Sequence, residues 1–123
     1  MKSGLSTSEM TRLVLLYGND LGCFLWRNNT MGVNRGSGWQ AAGGIQGGVG
    51  SPDILGVLPD GTFIGIEIKN KGDRLSIQQI AFHDMVCSRN GRVLLITPRN
   101  IEEKLNELKD LAILHKPRAT VCS

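Results

Sequence analysis

Cysteine, histidine and aromatic residues are all sparse in this chain of 123 residues. The three cysteines, Cys23, Cys87 and Cys122, are odd in number and widely spaced, and they form no CxxC pair or Cys/His ligand spacing. Neither a disulfide framework nor a zinc site is suggested, and a reducing, cytoplasmic setting is expected. His83 and His115 have no HxxxH partner, and no chemistry is assigned to them. No run of about 18 apolar residues occurs, and the N-terminus lacks an apolar stretch followed by a small-residue cleavage site. A soluble protein without a membrane partner is expected. The sequence does have glycine, at 16 residues, so its order should be locally interrupted. Its net charge of +3 is a modest basic excess that favours polyanionic partners without requiring them. The length suits one core, and a single domain over 1–123 is expected.

Helical spacing of Met10, Leu13, Val14, Tyr17 and Leu21 predicts a first helix, with Ser6 or Ser8 as its cap and an end near Gly22. "CFLWRN", Cys23 to Asn28, reads as a short strand. "NTMGVNRGSGWQAAGGIQGGVGS" has no sustained period and reads as one long loop. "LPDGT" is a turn between two runs of β-formers, so the segment from Gly50 to Lys71 reads as a hairpin. A second helix follows, with Ser76 and Gln79 as a capping box and Gly91 ending it in a left-handed conformation. "RVLLIT" is a buried strand, and a last amphipathic helix is capped by Asn100 with Glu103 three residues on, stopping before Pro117. The strand after the second helix should run parallel to the strand before it, which makes the sheet mixed.

The hairpin carries the chemistry. With Pro59, Asp60 and Gly61 as its loop, Asp53 falls opposite Glu67, with Cβ atoms roughly 5 Å apart, and like charges so placed destabilise a sheet. A bulge at Gly61 would shift this register by one. Alternation puts Phe63, Gly65, Glu67 and Lys69 on one face and Ile64, Ile66 and Ile68 on the other. Gly65 is expected to leave open space beside the carboxylates. Two converging carboxylates with a lysine about 7 Å along the strand suit a hard cation such as Mg²⁺, which would remove the repulsion and support phosphodiester hydrolysis. The alternative is a solvated salt bridge of Lys69 with Glu67 at the end of an edge hairpin.

"SPD", thirteen residues, then "EIK" resembles the PD-(D/E)xK nuclease superfamily, and more closely its VRR-NUC (virus-type replication-repair nuclease) branch. "SEMTRLVLLYGNDLGCFLWRNNT" is similar to the branch's opening helix and strand, and "LSIQQIAF" to the helix after its lysine; the resemblance runs through about Thr97. It implies an α/β, restriction-endonuclease-like core of αβββαβ(α) order, a mixed central sheet flanked by helices. It further implies Asp53 and Glu67 as metal-binding acids, Lys69 as the motif lysine and Gln79 as the following glutamine. Glu9 and the backbone carbonyl of Ile68 are implied as further metal ligands. The activity implied is Mg²⁺- or Mn²⁺-dependent endonucleolytic cleavage of DNA, branched or junction DNA in particular, by a homodimer of phage or bacterial origin. A non-catalytic DNA-binding or assembly module of the same fold is the alternative. Gln79 has a second role open to it as the capping partner of Ser76, and Glu9 one at the positive end of its helix.

"GSGWQA", Gly36 to Ala41, matches GxGxxA, yet no buried strand precedes it and no helix follows, so no nucleotide cofactor is expected. The loop instead ends beside Asp53, where it can approach a bound backbone. Arg27, Arg35, Lys71, Arg74 and Arg89 are candidate phosphate contacts and Trp39 a stacking or wedge residue. Each charged residue has the alternative of a plain surface role and Trp39 that of capping the core, and nothing encodes base readout.

Overall fold

In a computed structural model of the chain, residues 4–28, 33–34, 39–40, 50–70 and 72–117 are described. The elements are α1 (Thr7–Asp20), β1 (Phe24–Arg27), β2 (Val33–Asn34), β3 (Trp39–Gln40), β4 (Ile54–Val57), β5 (Phe63–Ile68), α2 (Ile77–Cys87), β6 (Arg92–Ile96) and α3 (Ile101–Leu114). β1, β4, β5 and β6 form one sheet in that order, antiparallel except for the parallel β5–β6 pair. The sheet is mixed, as the strand–helix–strand order predicts, and the fold is α/β and restriction-endonuclease-like. One expectation needs correction: the glycine-rich segment is not uniformly loop. β2 and β3 pair antiparallel within it, Val33 with Gln40 and Asn34 with Trp39.

The hairpin register is the one with Pro59, Asp60 and Gly61 as loop. Ile54 pairs with Ile66, Leu55 with Gly65 and Val57 with Phe63, and the Leu58 N–H donates to the Thr62 carbonyl at 2.8 Å. Gly61, at φ 94°, supplies the left-handed residue such a loop needs, and its N–H donates to the Leu58 carbonyl. On one sheet face Leu25, Ile54, Ile64, Ile66, Leu94 and Ile96 are buried together with Met10 and Val14 of α1 and Leu108 of α3. At about 1.5–3 kcal/mol for each fully buried aliphatic side chain, this layer is the main source of stability. α2 lies on the opposite face, against β6 and within reach of Glu67 on β5, and is only partly covered.

Two helix ends differ from expectation. The left-handed residue after α2 is Asn90, at φ 68°, and Gly91 does not have a positive φ. Gly91 is small for a different reason: a Cβ there would lie 3.1 Å from the Val86 carbonyl oxygen that its own N–H binds. At α3 the Asn100 side chain makes no cap bond. Its Oδ1 accepts from the Thr97 N–H and its Nδ2 donates to the Leu95 carbonyl, which ties the helix entry to the end of β6 instead.

Candidate active site

The edge of the hairpin away from its turn holds the acids. Asp53 is the residue before β4, and the pairing that joins Ile54 to Ile66 brings it opposite Glu67. The segment is pinned from both sides. The Asn28 N–H donates to the Asp53 carbonyl at 2.8 Å, and Asn28 Nδ2 donates to Ser51 Oγ and to the Pro52 carbonyl. The Asp53 carboxylate accepts the Ile68 N–H at 2.8 Å, so one of its oxygens is fixed by backbone across the hairpin.

Space beside the acids is not open as the sequence suggested. Gly65 lacks a side chain because Pro52 occupies its place: a Cβ on Gly65 would be 2.7 Å from Pro52 Cγ. The glycine lets Pro52 bury itself against the sheet and thereby sets where Asp53 stands.

Glu67 is 1% exposed. The pKa of its carboxyl is pushed up to about 8, first by burial, then by the Asp53 carboxyl beside it, with Lys69 pulling the other way. A buried carboxyl facing another carboxyl is costly when ionised, and so Glu67 keeps its proton near neutrality. The bland reading of a solvated salt bridge at a frayed edge does not describe such a group.

His83, given no role from sequence, belongs to this cluster. Its Nε2 lies 3.3 Å from Glu67 Oε2. Burial holds the imidazole below its usual range, with Lys69 adding to the effect and Asp84 opposing it. A neutral histidine beside a protonated glutamate makes this contact a hydrogen bond and not an ion pair. A signal was present in the sequence: His83 follows Gln79 by four residues, so both fall on the inward stripe of α2.

The remaining candidates lie elsewhere or are engaged. Gln79 and Ser76 form the expected capping box, with Gln79 Oε1 accepting the Ser76 N–H at 2.8 Å. Glu9 does the same on α1, where its Oε1 accepts the Ser6 N–H at 2.8 Å; Ser6, not Ser8, is the cap. Among the described residues no group of three or more His, Cys, Asp and Glu side chains is arranged to hold a metal ion, so the acid pair stands without Glu9. Arg27 and Arg74 are exposed. Arg89 is spent locally, its Nη1 donating to the Met85 carbonyl at 3.2 Å. Arg35, Lys71 and the side chain of Trp39 lie outside the described residues.

Two carboxylates are a sufficient protein donor set for Mg²⁺, which commonly keeps several waters and takes its other ligands from substrate phosphates. The electrostatic conflict between Asp53 and Glu67 is itself evidence of fit, because a cation between them removes it. Comparison with the curated proteins and with the solved structures finds no match. Comparison with protein families matches residues 39–100 to the VRR-NUC domain, a span of just over half the chain that contains both acids, Lys69 and α2. With that span and this fold, the chain belongs to the VRR-NUC domain family of nucleases.

Proposed function

We propose that the chain is a single-domain Mg²⁺- or Mn²⁺-dependent DNA endonuclease with Asp53, Glu67 and Lys69 at its centre. The observation that carries the proposal is Glu67, a buried carboxyl held protonated against a second carboxyl on the neighbouring strand. Such a pair destabilises the hairpin unless it serves a ligand. Asp53 and Glu67 would hold the cation with the Ile68 carbonyl; when bound, it supplies charge to polarise the scissile phosphate and acidify a water.

The chain's own residues have separate tasks. Asp53 is oriented by the Ile68 N–H before any ligand arrives. His83 restrains one oxygen of Glu67 and so limits its rotation. Lys69, close enough to Glu67 to lower its pKa, brings an ammonium that orients the attacking water or steadies the phosphate. Glu9 and Gln79 act first as helix caps, and any direct role at the centre requires those caps to open. The substrate proposed is branched or junction DNA and the working unit a homodimer, since pairing would give so small a chain a second centre and a wider basic surface.

The test is a panel of duplex, flap, single-strand and four-way junction DNA incubated with Mg²⁺, Mn²⁺ or EDTA, with Lys69→Ala beside the native chain. Cleavage should vanish in EDTA and fall by about 10²-fold or more in the variant while its melting curve is unchanged. Undiminished cleavage by Lys69→Ala rejects the assignment. Binding without cleavage under every metal condition would instead select the non-catalytic module. Light scattering decides the dimer.

A further inference from the structure

Phe24 and Trp26 form an exposed aromatic pair that the proposed centre leaves unused. Alternation along β1 puts both on one face of the sheet. Phe24 pairs with Val57, which pairs with Phe63; Trp26 pairs with Leu55, which pairs with Gly65. Glu67 is two residues beyond Gly65, so the rings share the face of the acids. The acid row is the next one along, where the Asn28 N–H meets the Asp53 carbonyl. Trp26 therefore stands two strands and one row from Glu67, about 12 Å from it by ordinary sheet spacing.

The distribution of aromatics is uneven. Only six occur in the chain, and Phe24, Trp26 and Phe63 fall within two adjacent rows of this face. Phe24 is 65% and Trp26 43% exposed, whereas the other described aromatics, Tyr17, Phe63 and Phe82, are half-buried. The two exposed rings are 5.2 Å apart and tilted by 52°, so neither stacks flat on the other and each keeps an open π-face. β1 is an edge of its sheet, which leaves the approach clear among the described strands.

We infer that Phe24 and Trp26 are a stacking platform for unpaired nucleobases of the strand whose phosphate is held at Asp53 and Glu67. The inference rests on the nuclease reading and deepens it. An apolar face built for a protein partner has no need to adjoin the acids, whereas a strand crossing them must place its bases somewhere on the same surface. Bases within a duplex hide their faces, so the platform selects single-stranded, flap or splayed segments. Stacking tolerates any sequence, in keeping with the lack of base-reading residues.

The experiment measures binding in EDTA, where cleavage does not interfere, by anisotropy of labelled single strands, the same strands with abasic linkers, and duplex. The native chain should bind the abasic strand about 5- to 100-fold more weakly than the normal strand, the range expected when one or two bases lose aromatic stacking. Phe24→Leu with Trp26→Leu should lose the same factor on normal strands, change duplex affinity by less than about twofold, and no longer distinguish abasic strands. Phe24→Tyr with Trp26→Tyr should restore the preference. Equal binding of normal and abasic strands by the native chain overturns the platform without any variant. An equal loss on duplex overturns it too, as does a loss that follows conversion of a native dimer to a monomer, which would assign the face to a second copy of the chain. Failure to bind any strand in EDTA by a chain that cleaves DNA in Mg²⁺ overturns the platform, and failure to bind or cleave DNA under any metal condition sinks the nuclease reading itself.

Discussion

Replacing Glu67 by glutamine should stabilise the metal-free protein and disable it. In the unfolded chain this carboxyl ionises near 4.5, and in the native state at about 8. Between those values the native state holds a proton that the unfolded state has released, so native stability falls as pH rises. The slope approaches about 1.4 kcal/mol per pH unit, and across the whole window the loss has a ceiling of about 5 kcal/mol. A glutamine side chain has the same shape and no charge. Its amide can donate to the Asp53 carboxylate and its carbonyl can accept from His83, so neither neighbour loses a partner. Thermal denaturation in EDTA at pH 5, 6, 7 and 8, for both proteins, isolates the effect, because the titration of other groups largely cancels in the difference. The native melting temperature should drop relative to that of Glu67→Gln with each step in pH, and at pH 8 the variant should melt higher by roughly 5–15 °C for a chain of this size. Adding Mg²⁺ at pH 8 should raise the native curve and leave the variant's in place. A native-minus-variant difference that is flat from pH 5 to 8, or a variant less stable at pH 8, refutes the account of a buried acid held in conflict for a ligand.

Two further outcomes follow from the same surroundings. Gly65→Ala drives a methyl group into Pro52, and relief by displacing Pro52 moves Asp53; urea denaturation should show a loss of about 1–3 kcal/mol, and Mg²⁺-induced stabilisation should weaken with it. At the other end of the hairpin Asp60 has its carboxyl pKa lowered to about 2: burial pushes it up, but Thr62 and His115, the latter 2.8 Å away, outweigh that. Its contribution is complete above the unfolded value of 3.8 and disappears as pH falls towards 2, so Asp60→Asn should flatten the acid limb of a urea-stability profile between those values, and an unchanged limb refutes it.

Which parts of the molecule could be read from sequence depends on how local their causes are. Ser6 with Glu9, and Ser76 with Gln79, are cap pairs three residues apart, and each forms as its spacing predicts. The register of Asp53 against Glu67 follows from a three-residue turn whose glycine alone accepts a positive φ. Expectations failed where a neighbouring segment competed for the same atoms or the same space. Asn100 has the right type for a cap, but Thr97 and Leu95 at the end of β6 take its amide. Asn90 takes the left-handed position expected of Gly91 because Gly91 must lie against Val86. Pro52 filling the gap at Gly65 and His83 reaching Glu67 are contacts between elements; spacing puts His83 on the inward stripe of α2 but does not say which strand residue it meets.

The two faces of the sheet obey different rules, and the difference argues for the site independently of any motif. On the α1/α3 face the strands bury a continuous aliphatic layer, with only Arg27 and Arg92 of the described strand residues exposed there, and that layer serves stability. On the α2 face the same strands carry an acid opposite an acid and exposed aromatic rings on an edge strand, and α2 sets a histidine held neutral against the acids. A valine or leucine at position 67 would pack there without an electrostatic cost, and a threonine at position 26 would suit a solvated edge. Departures from the stable choice that fall on one face and within adjacent rows are spatially correlated, and a fold under selection for stability alone has no cause to correlate them. One ligand that crosses the rows and satisfies the acids through a cation and the rings through its bases accounts for both departures together.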